Sequence, residues 1–251
     1  MAHYKATIEY DGTEFCGFQI QPKDRTVQGV LEDVLTTLNG GTHVRLRGAG
    51  RTDSGVHAIG QVIDFSLTFR DDEHALQRAL NIMLPKDVAV RHLSFAPPNF
   101  HPRYDALSRA YVYTILNTPI RQPLQHRNSL HYRPLLDEKV MHNAVQRLLG
   151  CHDFASFGRP TTASGSTTRV MKDGRVWREG EQVCIGLEAN GFLYRMVRSI
   201  VGSLLLIGRN KKTPDWIEDV LSARNRSLAA PVVKPHGLCL AAVPYPNSSP
   251  T

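Results

Sequence analysis

The chain has 251 residues, long enough for one large domain or two small ones, and its 41% hydrophobic and 21% charged residues are those of an ordinary globular protein. No long uncharged apolar run is present (the best, 192–208, carries Arg195 and Arg198), and Met1-Ala2-His3-Tyr4-Lys5 passes straight into a strand-like pattern, which argues against a membrane span and a secretory signal. Four scattered cysteines without C-x-x-C spacing argue against a disulfide framework and a zinc knuckle, so reduced thiols in the cytoplasm are expected, while a formal charge of +7 suits a polyanionic partner, nucleic acid first.

Tyr4 to Tyr10 alternates as a strand does, and Asp11-Gly12 ends it with a turn signal. From Thr26 to Leu38, apolar residues (Val27, Val30, Leu31, Val34, Leu35, Leu38) recur at the steps of an amphipathic helix. A glycine-rich loop then precedes a strand from about Gln61 to Leu67. Asp71 or Asp72 is placed to cap a helix bearing Ala75, Leu76, Ala79, Leu80 and Met83, stopped by Pro85, and Val88 to Leu93 reads as another strand. Pro97-Pro98-Asn99 and Pro102 mark a seam, which divides the chain into lobes 1–103 and 104–251.

The second lobe opens with a strand, Tyr111 to Leu116, followed by a helix from Asp137 to Leu149 closed by Gly150. A hairpin in 168–190 turns around Arg178-Glu179-Gly180, and a helix runs from Phe192 to Ile207. Thr213 as N-cap and Pro214 at N1 begin a short helix, and Leu238 to Val243 is the last strand. Residues 158–167 read as a mobile loop that orders on a ligand, and 246–251 as a frayed tail. The expected class is α+β, with two similarly built lobes, each an antiparallel or mixed sheet with helices on one face.

Three segments carry candidate chemistry. In Gly48-Ala49-Gly50-Arg51-Thr52-Asp53-Ser54-Gly55-Val56-His57, glycines permit a backbone approach that presents Asp53 to a substrate; the alternative is a tight turn capped by Asp53. Arg51, two residues away, favours an ionised acid, fit to act as nucleophile or base. His57 is either a general base or, more ordinarily, a polar group orienting the loop. Asp64, in the following strand, is the nearest second carboxylate, and the scattered histidines form no metal-ligand pair, so no metal dependence is expected.

In Arg103-Tyr104-Asp105-Ala106-Leu107-Ser108-Arg109-Ala110-Tyr111-Val112-Tyr113, tyrosines alternate with arginines, either to stack on unpaired bases and neutralise phosphates or as a strand with a packed aromatic face. In Phe192 to Ser203, Arg198 interrupts a broad apolar face, and such a cation needs an acidic partner or a route to the surface. The spacing of charge puts Arg45, Arg47, Arg51, Arg103, Arg109 and Arg198 along one basic groove.

Together these segments resemble the tRNA pseudouridine synthase A family. The resemblance begins at Ile8-Glu9-Tyr10-Asp11-Gly12 and Phe15 to Gln21, and continues through Thr26-Val27-Gln28, Gly50 to Ala58, Gly60-Gln61-Val62 and Phe100 to Ala106. It then takes in Tyr111-Val112-Tyr113, Asp153 to Phe157, Phe192 to Gly202 and Gly237-Leu238-Cys239-Leu240. The matches are in order and span nearly the whole chain. The resemblance implies two α/β lobes around a central basic cleft, usually as a homodimer, and isomerisation of uridine to pseudouridine in the anticodon stem-loop of tRNA without cofactor or metal. It puts the essential aspartate at Asp53, its arginine partner at Arg198 and the base-stacking tyrosine at Tyr111. Arg51 and Leu238 complete the expected substrate-binding set. Phe18 stands where many members have Trp, and Tyr194-Arg195 replaces a pair that varies.

Overall fold

The computed structural model describes residues 1–69, 72–162 and 164–246. The chain forms two compact units, Met1–Leu107 with Leu240–Thr251, and Ser108–Cys239. Among the described residues no helix is long and apolar enough to cross a membrane.

The first unit runs β1 (Ala2–Tyr10), α1 (Val27–Leu38), β2 (Leu46–Gly48), β3 (His57–Leu67), α2 (Glu73–Met83) and β4 (Val88–Phe95). β1 lies between β4 and β3, antiparallel to both, and β2 pairs antiparallel with β3. The two-residue alternation of β1 buries Tyr4, Ala6, Ile8 and Tyr10 on one face. Tyr4 stacks on its cross-strand partners Phe65 and Phe95, with ring centroids 5.6 and 5.2 Å away. Thr26 caps α1 by accepting from the Gly29 N–H, and Asp72, rather than Asp71, caps α2 by accepting from that of Ala75. Residue 71 and residues 247–251 of the expected tail lie outside the described residues. β3 starts four residues earlier than its alternation marks, because all but two of its eleven positions are buried and the polar–apolar rhythm is lost there.

The second unit runs β5 (Arg109–Leu116), β6 (Leu130–His131), α3 (Glu138–Gln146), β7 (Gly150–Asp153), β8 (Thr168–Glu179), β9 (Gln182–Ala189), α4 (Met196–Gly208) and α5 (Trp216–Ala223). Its strands lie in the order β5-β9-β8-β7, all antiparallel, and β6 adds a short parallel pairing to the end of β5. The boundary between the units falls inside the last strand, β10 (Leu238–Ala242). α3 packs on β8 where Gly174 leaves room for Val145, and on α4 where Gly208 admits Met141.

Three helix boundaries differ from expectation. α3 ends at Gln146, the chain tightens through N–H bonds from Leu148 and Leu149 to Val145 and Gln146, and Gly150 opens β7 instead of capping the helix. α4 begins at Met196, four residues late, because Arg195 adopts a left-handed conformation (φ 63°) that no helical spacing reveals. α5 begins at Trp216, with Thr213 and Pro214 in the turn before it; the Trp216 N–H is taken by the Thr213 carbonyl, not by its hydroxyl.

Candidate active site

The loop between β2 and β3 carries Asp53, and backbone contacts hold it from both ends. Ala49 donates its N–H to Val62 (2.8 Å), Gln61 donates to the Gly50 carbonyl (2.7 Å), and the Val56 N–H closes on Asp53 itself (3.1 Å). The segment after β1 clamps the outside: Phe18 N–H donates to the Thr52 carbonyl (3.1 Å), and the Phe15 carbonyl accepts from Gly55 N–H (3.3 Å) and Ser54 Oγ (3.2 Å). The Tyr10 hydroxyl meets Thr52 Oγ1 at 2.8 Å. Two glycines make this approach possible. A Cβ on Gly12 would lie 2.0 Å from the Val56 carbonyl oxygen, and Gly17, at φ +94°, would put one 2.8 Å from that of Thr52. The consequence is a half-buried carboxylate at Asp53 on a loop with little freedom to move.

His57 is buried, and its Nδ1 accepts the Gly12 N–H at 3.0 Å with Asp11 Oδ1 at 3.2 Å. It therefore ties the loop's exit to the turn after β1, a contact of the kind the orienting reading expects. Asp64 is no second acid for Asp53. Its buried carboxylate accepts from Arg47 Nε (2.9 Å) and His3 Nε2 (2.8 Å), and Arg47 also reaches it through Nη2. That pair crosses the β2–β3 register, raises the Arg47 pKa above its ordinary value, chiefly through the Asp64 hydrogen bond, and withdraws Arg47 from the expected row of free cations. Arg51 is exposed and, among the described residues, makes no ion pair with Asp53 or any other acid.

The second unit holds the other candidates. Tyr111 and Tyr113 share one face of β5 and both are buried, Tyr113 completely. Tyr111 meets Phe192 edge to face, with centroids 5.2 Å apart. The Tyr113 hydroxyl donates to the Lys234 carbonyl (2.7 Å), and burial pushes its pKa well up, opposed by the charge of Arg198. Arg198, half-buried in the first turn of α4, donates Nε to the Val233 carbonyl (2.8 Å), so part of its burial is met by backbone. Leu238, at the start of β10, is buried behind Gly237, whose Cα sits so close to the Tyr113 ring that a Cβ would come within 2.8 Å of it. Asp53 and Arg51 belong to the first unit, and Tyr111, Arg198 and Leu238 to the second.

A groove of about 580 Å³ crosses β5, β9 and β8, lined among others by Val112, Trp177, Asp173, Arg175 and Glu188. Asp173 neutralises Arg175 at 2.6 Å, and Glu188 leaves the groove an acidic surplus, the wrong sign for a polyanion. Among the described residues no three His, Cys, Asp or Glu side chains are grouped as a metal centre requires.

A family model for tRNA pseudouridine synthase matches residues 6–105 and 144–246, ranges that contain Arg51, Asp53, Arg198 and Leu238, with Tyr111 between them. The chain is 41% identical to tRNA pseudouridine synthase A of Halalkalibacterium halodurans over 92% of its length and 88% of the relative's. It is 41% identical to that of Shewanella woodyi (96% and 92% covered) and 40% identical to that of Geotalea daltonii (98% and 100% covered). A solved chain from a Cbf5-Nop10-Gar1 complex aligns over 80% of this chain and 45% of its own, with 14% identity and a TM-score of 0.34, too slight a likeness to bear on the fold.

Proposed function

Because the chain belongs to the tRNA pseudouridine synthase A family, a family of isomerases, we propose that it converts uridine to pseudouridine in the anticodon stem-loop of tRNA. The reaction breaks the N1–C1′ glycosidic bond, turns the uracil and rejoins it through C5, which then gives up its proton. Nothing is oxidised or reduced, so the proposal includes no cofactor. The observation that carries the reading is the Asp53 loop: a half-buried carboxylate fixed by backbone contacts on both sides, inside a range that the family model matches. Positioning of this kind is the larger part of what a catalyst contributes when a single side chain acts on ribose.

In this reading the Asp53 carboxylate acts on the ribose of the target nucleotide. Arg198 is the cation that this reading assigns as the partner of that carboxylate. The Tyr111 ring supports the turned uracil, Leu238 contributes apolar surface to it, and Arg51 takes a phosphate from its exposed position. The basic surplus of +7 draws in the RNA, and the working form is a homodimer, which light scattering of the purified protein checks.

The test is incubation of unmodified tRNA with wild-type protein and with Asp53→Ala, followed by a chemical stop assay that maps pseudouridine. Wild type is expected to modify the anticodon arm, and the variant to bind tRNA without modifying it. Binding by both proteins and modification by neither would remove the catalytic assignment and leave an RNA-binding module.

A further inference from the structure

Residues 100–107 are the last of the first unit before the chain leaves it, and both ends of the stretch are pinned. Phe100 is buried against Tyr245, with centroids 5.1 Å apart, and the Tyr245 hydroxyl donates to the Pro102 carbonyl at 2.6 Å. At the other end the Leu107 N–H donates to the Pro244 carbonyl at 2.9 Å. Between the pins the turn is tied to itself. His101 Nδ1 accepts the N–H groups of Arg103 (3.1 Å) and Tyr104 (3.4 Å). The His101 N–H donates to Asp105 Oδ2 (2.8 Å), and the Asp105 N–H donates back to the His101 carbonyl (3.1 Å).

This closely bonded turn puts its largest apolar side chain in water. Tyr104 is 75% exposed, while the other two aromatics of the turn's surroundings, Phe100 and Tyr245, are at 6%. The ring is not loose. It lies 4.3 Å from the His101 ring at 41°, and the Arg103 guanidinium carbon is 5.9 Å from its centroid. An aromatic ring held in place before binding loses little freedom when it meets a partner. Every unpaired base offers a flat apolar face to such a ring, and a neighbouring guanidinium suits the phosphate that comes with it. The buried tyrosines on β5 have no such face to offer a nucleotide outside the reacting one.

We propose that Tyr104 stacks on an unpaired nucleotide of the tRNA substrate other than the target uridine, and so sets how the anticodon arm lies on the protein. The inference rests on the reading of the chain as a tRNA-modifying enzyme and deepens it. Binding of unmodified tRNA and of the isolated stem-loop is to be measured for wild type, Tyr104→Phe, Tyr104→Leu and Tyr104→Ala, with single-turnover rates at saturating RNA. Stem-loops carrying 2-aminopurine at each unpaired position report stacking as fluorescence quenching.

Tyr104→Phe should behave as wild type, while Leu and Ala weaken binding by roughly tenfold or more, raise KM to match, leave the saturated rate within about twofold and abolish the quenching at one position. A merely structural role would be rescued by Leu, which keeps the bulk without the π face. Binding by Tyr104→Ala within about twofold of wild type overturns the proposal, as does equal rescue by Phe and Leu. If wild type binds tRNA but forms no pseudouridine, the proposed reaction fails while the binding comparison still judges Tyr104. If wild type does not bind tRNA at all, both readings fall.

Discussion

The loop that carries Asp53 and the helix that carries Arg198 are held in place by different balances of hydrogen bonding and apolar packing. Around Asp53, backbone and side-chain hydrogen bonds join residues 10–18 to 52–57, and two of the close approaches require that Gly12 and Gly17 carry no Cβ. Around Arg198 the packing is chiefly apolar, beside a backbone bond from the Val233 N–H to the Arg198 carbonyl (3.3 Å). Met196, Ile200, Val201 and Leu204 of α4 are fully buried, and the arginine finds the Val233 carbonyl at the edge of that apolar face. The first arrangement fixes the position of one carboxylate by hydrogen bonds laid over the buried side chains of Phe15, Phe18, Ala49 and Val56. The second buries a broad apolar helix face by the hydrophobic effect, and the cation at its edge is bonded to a carbonyl. Stability and placement are therefore expected to separate by mutation, one in each unit.

Within this comparison the largest effect is expected at Gly12→Ala. Its methyl would collide with the Val56 carbonyl, a backbone atom that moves only if the Asp53 loop moves. Displacement of a reacting group by about an ångström costs on the order of 10²-fold in rate, so pseudouridine formation should fall by at least that much while most of the protein still folds. Rate per folded molecule, with the folded fraction taken from circular dichroism, reads this directly. Leu204→Ala should do the reverse. It empties a fully buried site, for about 3 kcal/mol of lost stability by urea titration, with the rate per folded molecule close to wild type. Should Leu204→Ala lower that rate a hundredfold while Gly12→Ala leaves it intact, the division of labour between the two regions would be reversed.

Tyr113→Phe probes the seam between core and chemistry on β5 and should have the smallest effect. It deletes the hydrogen bond to Lys234, at a cost of about 1 kcal/mol near neutral pH. Burial holds the Tyr113 pKa above the ordinary tyrosine value of about 10. The unfolded chain therefore releases this proton first, and the stability linked to it is complete below pH ~10 and is lost as pH rises beyond. Urea titrations from pH 8 to 11 should show wild type losing stability more steeply than Tyr113→Phe above pH ~10. Parallel curves would mean that the hydroxyl is not the titrating group.

Much of the fold follows from local chemistry. The apolar spacing of α1, the caps at Thr26 and Asp72, the stop before Pro85 and the glycine at the β8–β9 turn act within a few residues of themselves. The sequence by itself also marked the Asp53 loop through its run of glycines around an acid, although the close backbone approaches are made by Gly12 and Gly17 outside that run, and it carried enough of the family's motifs, in order, to indicate the chemistry.

Only the tertiary structure decided which of several similar residues is buried or paired. Tyr104, Tyr111 and Tyr113 lie within ten residues in one aromatic-basic run, yet two are core and one stands in water. Arg47 and Arg51 look alike in the chain, but one is committed to Asp64 and the other makes no ion pair among the described residues. The late start of α4 at Arg195 belongs with these, because a left-handed residue there reflects the path of the preceding chain rather than any helical preference. Periodicity records a side chain's neighbours three or four positions away. Burial, pairing and exposure depend on partners 17 to 143 residues distant, as in Arg47 with Asp64 and Pro102 with Tyr245, and those are set when the chain closes on itself.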